Sequence, residues 1–576
     1  MKFYGIILSL ALILRLWGLS LNPVGISHDE IHDLINAKSL IMLGENAPGT
    51  AAGIITQNPH CNGNCIFGEL ASYLLAPWMG IFPLGIVISK IPFLLASLGI
   101  VYFGGRFFEN LTNKKEVGYL TSLILAINPW AIYFGRSAFE NLFSFCFFLA
   151  ALYLFTKNKT SKRHLVGATL LAFLGFLSYF GAKPLFVFIV IWGIFYGWKE
   201  KNGKNLILGW GLIITAIIIS VGYVLGLMNS QSGKRFEEIS AKGAVDVPSI
   251  VNEERKVSLA IPFIRDAVIN KYTVTGKILL DKFLGVFSPV YLFSRGEQGY
   301  DVFMISGHPY MYLIDGGFIV LGLMSLGTLG TKGLSILGLM GISIIPTIVS
   351  GSGVTYALRS GLLFPLLCGL AAMGILSGEK FLKKKWKIFY WGGIAGLYVI
   401  SLVYFLILYW YRVPFEKNTG WHFHERVLVR YLDIFRSESQ EKIYLSVDNP
   451  VDVMYNYAFY TGKYNNKEFA KNFNEAIRSG KYEIEGMVFQ KKCPEIIDKK
   501  AIYIWERDLG CIDEPNMLPR ISETRDGGAR FFIPVEKVCR GVELNSYPFP
   551  RKIEDFSVEK MNKDTFCKNW ISEPKI

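Results

Sequence analysis

Runs of about 20 apolar residues recur along this chain from Tyr4 to Tyr411. A run of that length spans the hydrocarbon core of a bilayer as an α-helix. The pattern excludes a soluble enzyme, a disordered chain and a fibre. It also excludes a transmembrane β-barrel, whose strands alternate in polarity. Composition agrees: only 18% of the 576 residues are charged, against about 25% in soluble domains.

The net charge of +14 invites a nucleic-acid reading, and its distribution argues against one. The short runs 106–116, 157–164, 199–204, Lys332 and 379–387 hold sixteen Lys/Arg and four Asp/Glu. These runs separate apolar segments, so the excess is a positive-inside topology signal rather than a phosphate-binding face. With those runs cytoplasmic, spans fall near 84–105, 117–134, 139–156, 165–181, 184–198, 205–228, 311–330, 333–350, 358–378 and 388–411. Tyr4–Leu19 has no small-residue cleavage site after it and reads as a retained first span. The expectation is a polytopic α-helical protein of the cell membrane with about eleven spans, a cytoplasmic N-terminus and an outer C-terminus. Segment 67–83 is apolar but carries Pro77 and Pro83. It is expected to lie at or dip into the outer face.

Residues 20–83, 229–310 and 412–576 then lie outside. A transmembrane domain over 1–411 is followed by a small extracytoplasmic α/β domain over 412–576. Its strand-like segments are Lys442-Ile-Tyr-Leu-Ser-Val and Ala501-Ile-Tyr-Ile-Trp. Cys61, Cys65, Cys493, Cys511, Cys539 and Cys567 all fall in the outer segments, which suits disulfides in an oxidising compartment. Cys61 and Cys65 can close a small loop, and the four tail cysteines allow three pairings. A zinc site beside His60 is a weaker reading of the first pair. His422 and His424, after the last span, read as part of an interfacial polar and aromatic belt.

The informative residues are charges near the outer membrane face. Lys90, Arg136, Lys183, Arg295 and Arg359 sit at outer span ends or just beyond them. Singly each reads as a snorkelling side chain. Five on one face suit an anionic phosphate, which Arg grips bidentately. Acids accompany them. Asp29 and Glu30 follow the first span, and Glu140 lies four residues after Arg136, on one face if the segment is helical. A Ser27-x-x-Glu30 capping box accounts equally well for the first pair. Cations that hold a departing phosphate and a carboxylate that takes a hydroxyl proton make a group-transfer site.

Five stretches resemble motifs of the GT-C polytopic glycosyltransferases, in particular the protein O-mannosyltransferase and lipid A aminoarabinose transferase group. They are Arg15-Leu-Trp-Gly-Leu with Pro23 and His28-Asp-Glu; Tyr73-Leu-Leu-Ala-Pro with Ile88-Ser-Lys-Ile-Pro; Asn128-Pro-Trp with Gly135-Arg-Ser-Ala-Phe-Glu-Asn; Tyr291-Leu-Phe-Ser-Arg with Gly307-His-Pro-Tyr; and Tyr356-Ala-Leu-Arg-Ser with Pro365. The resemblance covers roughly residues 1–410. It implies a polyprenyl-phosphate-sugar donor and a protein, glycan or lipid acceptor, among membrane lipids and without nucleic acid. Asp29 would be the catalytic base with Glu30 beside it. Arg136 and Glu140 would lie near donor phosphate and acceptor, and Arg359 would be a late phosphate contact. Lys90, Lys183 and Arg295 complete the expected phosphate contacts. His28, His308 and Tyr356 would line the site. Two departures stand out: Glu140 replaces the Asp of some relatives, and Asn58-Pro-His-Cys-Asn-Gly-Asn-Cys lacks the usual basic residues. Asp29-Glu30 is not a DxD motif, so no metal is assigned, although some members use a divalent one. The alternative is a transporter or flippase for a lipid-linked glycan, which would show internal repeats or paired broken helices; no clear repeat is found.

Overall fold

The structure, a computed structural model, describes residues 2–47, 57–58, 65–66, 70–157, 161–200, 206–228, 246–297, 302–305, 307–350, 356–416, 420–494, 498, 500–511, 518–522, 528–548 and 550–573. The first ten helices are α1 (Lys2–Leu16), α2 (His28–Leu43), α3 (Ala71–Ile81), α4 (Ile86–Thr112), α5 (Lys115–Ile127), α6 (Pro129–Phe134), α7 (Asn141–Thr156), α8 (Lys162–Ser178), α9 (Leu185–Glu200) and α10 (Leu206–Met228). Among the described residues, five helical stretches are long and apolar enough to cross a bilayer: Ile86–Thr112, Ile207–Gly226, Thr331–Val349, Leu363–Lys380 and Lys384–Tyr411. Shorter apolar helices cover Asn141–Thr156, Leu185–Lys199 and Leu313–Leu329.

Several apolar runs that hydropathy reads as single spans are broken. Run 117–134 splits at Asn128, whose side chain caps α6 by accepting from the Ala131 amide at 3.1 Å, with Pro129 in the first turn. Run 358–378 divides into the short helix Tyr356–Arg359 and Leu363–Lys380. The eleven residues of α3 measure about 16 Å, too short to cross a core of about 30 Å. Lys38 of α2 secures the end of α3 by donating to the Met79 and Phe82 carbonyls at 2.7 and 3.0 Å.

Helices Leu313–Leu326 and Leu363–Lys380 approach closely because Gly322 and Gly374 stand against the other helix's backbone, where any Cβ would collide. The Gly316-Gly317 and Gly392-Gly393 pairs, more conspicuous in the sequence, lack such close backbone approaches.

The C-terminal segment carries a seven-stranded mixed sheet; the strands β1 (Gln57–Asn58) and β2 (Cys65–Ile66) form a separate ladder in the first loop. In the sheet β3 (Ile443–Ser446) runs parallel to β5 (Met487–Gln490) and β6 (Ile502–Glu506). Strands β4 (Glu483–Ile484), β7 (Arg520–Ser522), β8 (Ala529–Phe532) and β9 (Ile571–Ser572) complete it by antiparallel pairing. Among the three possible tail pairings the disulfides are Cys493–Cys511 and Cys539–Cys567; Cys61 lies outside the described residues.

This segment is fastened to the loop after α1. His32 stacks on Tyr455 at 3.7 Å, Asn474 reaches Ser39, Arg478 pairs with Glu45 at 2.9 Å, and the Ile26 amide donates to the Tyr460 hydroxyl at 2.9 Å. Arg426, fully buried, spans the Val24 carbonyl and the Glu559 carboxylate. One hydrophobic core runs continuously through the helical part and the sheet.

Candidate functional site

The first turn of α2 organises everything that follows. Ser27 precedes it and Asp29 and Glu30 lie within it, where the exposed amides of a helix start favour acids. Three of its side chains then take different directions.

Asp29 is exposed, and among the described residues its carboxylate forms no hydrogen bond or ion pair. Its charge acts on Tyr179, at the end of α8, together with that of Glu140. The positive charge of Arg359 acts on the same Tyr179 hydroxyl and opposes the two carboxylates. Asp29, Glu140, Tyr179 and Arg359 thus converge from α2, the 135–140 turn, the end of α8 and the helix Tyr356–Arg359. Two contacts fix that short helix. Asn141 donates to the Leu358 carbonyl at 3.0 Å, tying it to the start of α7. Buried Glu297 accepts from the Tyr356 and Ala357 amides and, at 2.8 Å, from the Tyr310 hydroxyl. Tyr356 itself stands edge-on to Tyr291 at 5.5 Å. Lys282, also buried, lies within the electrostatic reach of Arg359.

Glu30 turns inward instead. It accepts from the Ser27 amide at 2.6 Å and the Ala138 amide at 2.5 Å. Burial pushes this carboxyl up to about 7, against those two amides and the charge of Lys90. The capping reading therefore describes Glu30, which also ties α2 to the 135–140 turn; the expected catalytic role is not where its oxygens point. One turn on, burial raises Asp33 to about 7; a hydrogen bond from Ser72 at 3.0 Å opposes this, and the charges of Asp29 and Glu30 add to it.

Most of the expected phosphate contacts are engaged structurally. Helix α6 ends at Phe134 and α7 begins at Asn141, so Arg136 and Glu140 occupy a turn rather than one helical face. Arg136 is 1% exposed. Its guanidinium donates to the Leu14, Arg15, Trp17, Gly18 and Asn22 carbonyls and to the Tyr409 hydroxyl. It caps the end of α1, whose last carbonyls have no helical partner. Arg15 does the same for α5, donating to the Leu125 and Ala126 carbonyls and to Ser97. Lys90 is fully buried on the Pro23 carbonyl at 3.2 Å. Lys183 donates to the Phe176 carbonyl at 3.0 Å between the Phe176 and Tyr223 rings. Arg295 is exposed at the end of the helical turn Val290–Ser294. His308 packs among Tyr404, Phe405 and Tyr312 with Nδ1 2.6 Å from the Pro309 carbonyl, and burial lowers it to about 4.

His28 faces away from this cluster, toward the C-terminal segment. Its Nε2 lies 2.8 Å from Glu425 and its Nδ1 2.7 Å from Asp452. Asp452 also meets His32 Nε2 at 3.1 Å. His422 stacks on His28 with centroids 3.5 Å apart, and its Nδ1 is 3.4 Å from Glu425. Burial would raise the Glu425 carboxyl, but His28 and His422 hold it well below the usual carboxylate range. Asp452 is brought down to about 2, against its own burial, by His28 and His32. His422 is thus packed against the first loop, and His424 is buried beside Phe531 of β8, rather than both being arrayed in an interfacial belt.

Sequence reasoning missed Tyr179, Lys282, Glu297, Glu425 and Asp452. Tyrosines near span ends are common as interfacial residues, so nothing local distinguishes Tyr179. Glu425 and Asp452 lie 397 and 424 positions from His28, too far for any sequence pattern to pair them.

No family model matches the chain, and no curated protein matches it by sequence. Solved structures do. ArnT from Cupriavidus metallidurans, bound to undecaprenyl phosphate, aligns over 92% of this chain and 97% of its own, with TM-score 0.51 and 11% identity. The chain shares its fold with that protein. The oligosaccharyltransferase AglB from Archaeoglobus fulgidus, with an inhibitory peptide and a dolichol-phosphate, aligns over 97% of this chain and 77% of its own, with TM-score 0.46 and 11% identity. The same archaeal enzyme tethered to an acceptor peptide gives 0.48, 12% identity and coverages of 83% and 68%.

Proposed function

We propose that this protein transfers a sugar from a polyprenyl-phosphate donor to an acceptor at the outer face of the membrane. One feature carries the reading: the charges of Asp29, Glu140 and Arg359, from three separate segments, all act on Tyr179. The shared fold with ArnT, which binds undecaprenyl phosphate, supports it. Arg359 holds the donor phosphate and stabilises its charge as it leaves. Asp29, exposed and unengaged among the described residues, takes the proton of the incoming acceptor group. The acceptor atom bonds to the anomeric carbon as the bond from that carbon to the phosphate oxygen breaks. The phosphate departs on its lipid. Glu140 supplies negative charge beside the oxocarbenium-like state, as carboxylates do in glycoside hydrolysis. Arg136 is engaged by main-chain carbonyls, and Lys90 and Lys183 each donate to a main-chain carbonyl; none of the three is assigned a phosphate contact.

The test supplies labelled polyprenyl-phosphate sugar to membranes with and without the protein, alongside mass analysis of cellular glycans. Protein-dependent transfer of label, with a matching glycan lost from cells lacking the chain, is expected. Label that crosses the membrane without being transferred would favour a flippase and refute the reading.

A further inference from the structure

We propose that His28, His422 and Glu425 bind a zinc-class divalent cation that fastens the first turn of α2 to the C-terminal segment. The proposal does not depend on glycosyl transfer. One donor atom from each of the three residues lies within 4.8 Å of the other two. The measured pairs are 2.8 Å, His28 Nε2 to Glu425, and 3.4 Å, His422 Nδ1 to Glu425. Ligands about 2.0–2.1 Å from a tetrahedral zinc stand roughly 3.4 Å apart; the His28 and His422 rings, stacked with centroids 3.5 Å apart, would fan apart to bring both nitrogens onto one ion. Two imidazoles and one carboxylate are the ligand set of a zinc site that keeps a position open.

Four further observations bear on this site. Asp452 engages His28 Nδ1 at 2.7 Å, which leaves Nε2 directed at Glu425. A carboxylate on the far nitrogen is how a metal-bound histidine is held in tautomer and orientation. Asn456 donates to Glu425 at 2.6 Å and orients that carboxylate in turn. His422 adopts the left-handed backbone region with φ 51°, uncommon outside glycine; the surroundings sustain this conformation while its ring lies over His28. Finally, His424 is 4% exposed, and neither ring nitrogen has a hydrogen-bond partner among the described residues. Its Nε2 stops 3.9 Å from Glu425, within reach of the same centre after a modest shift. A buried imidazole without a partner is costly, and a cation beside it would supply one.

The ion would bridge residue 28 and residues 422–425, the two ends of the contact between first loop and tail. Asp29 is the next residue in the chain, so the ion would also hold α2 where its first turn faces Tyr179.

The experiment uses the full chain, purified in detergent, stripped by chelator and titrated with zinc ion alone. One zinc per chain is expected, retained through desalting, with a higher melting temperature when zinc is present. Asp452→Asn should bind zinc about 10–100-fold more weakly, the usual cost of losing an outer carboxylate. His422→Ala should lose more than that, since it removes a ligand. The His422 side chain is 33% exposed, so this variant should melt like the zinc-free parent. His164→Ala, at the exposed start of α8, should bind as the parent does. Zinc-edge absorption on the unmutated chain, which needs no variant to fold, should show imidazole nitrogen in the first shell. Sub-stoichiometric zinc, a shell without imidazole, or undiminished binding by His422→Ala would overturn the proposal; in each case His28 is held by a proton between its two carboxylates.

Discussion

His28 and Asp29 are consecutive in the chain and belong to two different environments. His28 meets Glu425, Asp452 and His422 on the C-terminal segment. Asp29 is exposed and shares the electrostatic field of Tyr179 with Glu140 and Arg359. The first environment is closed, with carboxylates and imidazoles engaging one another; the second leaves its acid unengaged among the described residues. The same contrast separates two arginines. Arg136 spends its guanidinium on five main-chain carbonyls and the Tyr409 hydroxyl, while the charge of Arg359 acts on Tyr179 beside Asp29 and Glu140. Charge near a membrane face is therefore no guide to function by itself. Whether the backbone has already consumed it decides.

Substitutions on the two sides should separate activity from stability. The largest effect is expected at Asp29→Asn: transfer from labelled donor should fall at least about 100-fold, the low end for loss of a general base, with the melting temperature unchanged. Arg359→Ala should weaken donor binding by about tenfold or more, the worth of a charge-assisted hydrogen bond, and leave acceptor KM nearly constant; the reverse pattern in a two-substrate kinetic analysis would remove Arg359 from the phosphate contact. Arg136→Ala should act on the fold instead. It strands several buried carbonyls at ~1–3 kcal/mol each, so the melt should drop sharply and detergent-stable yield with it. A variant that melts like the parent but loses donor affinity would reverse the contrast between the two arginines. Tyr179→Phe should lower turnover several-fold without changing the melt, because it removes the hydroxyl on which the charges of Asp29, Glu140 and Arg359 act.

The smallest effect concerns Asp33. Folded, it keeps its proton to about pH 7, whereas a free aspartate loses it near pH ~3.9. The folded state binds the extra proton between those values, so stability from this group is full below about pH 4 and is lost as pH rises through 7. Asp33→Asn should therefore gain stability relative to the parent at pH 8 and not at pH 4, read from paired thermal melts. An equal difference at both values would show that Asp33 titrates normally.

Much of the architecture was legible in the sequence because apolar runs and helix signals are local. The helices α4, α9 and α10 lie close to the runs that hydropathy marks. Breaks were less visible: Asn128 before Pro129 ends one helix and caps the next, yet an Asn-Pro pair inside an apolar run also suits a kinked span. Within the site, Asp29, Glu140 and Arg359 could be nominated because acids and arginines near an apolar boundary are costly and conspicuous. What such a nomination lacks is the partner. Arg136 looks the same as Arg359 in sequence, and only the path of the chain through residues 14–22 turns it into a helix cap. Glu30 was ambiguous for a local reason, since a capping box and an acidic motif are written with the same letters. The His28 contacts were beyond reach, because they join the first loop to a segment almost four hundred residues away.

Single turnover decides whether Asp29 performs a chemical step at a site that holds a lipid-phosphate sugar: purified parent and Asp29→Asn proteins are loaded with labelled polyprenyl-phosphate sugar, and acceptor is then added. Both proteins should load equally, with rapid transfer by the parent and at least about 100-fold slower transfer by the variant. Undiminished transfer by Asp29→Asn, or a parent protein that does not load donor at all, would rule out that role for Asp29.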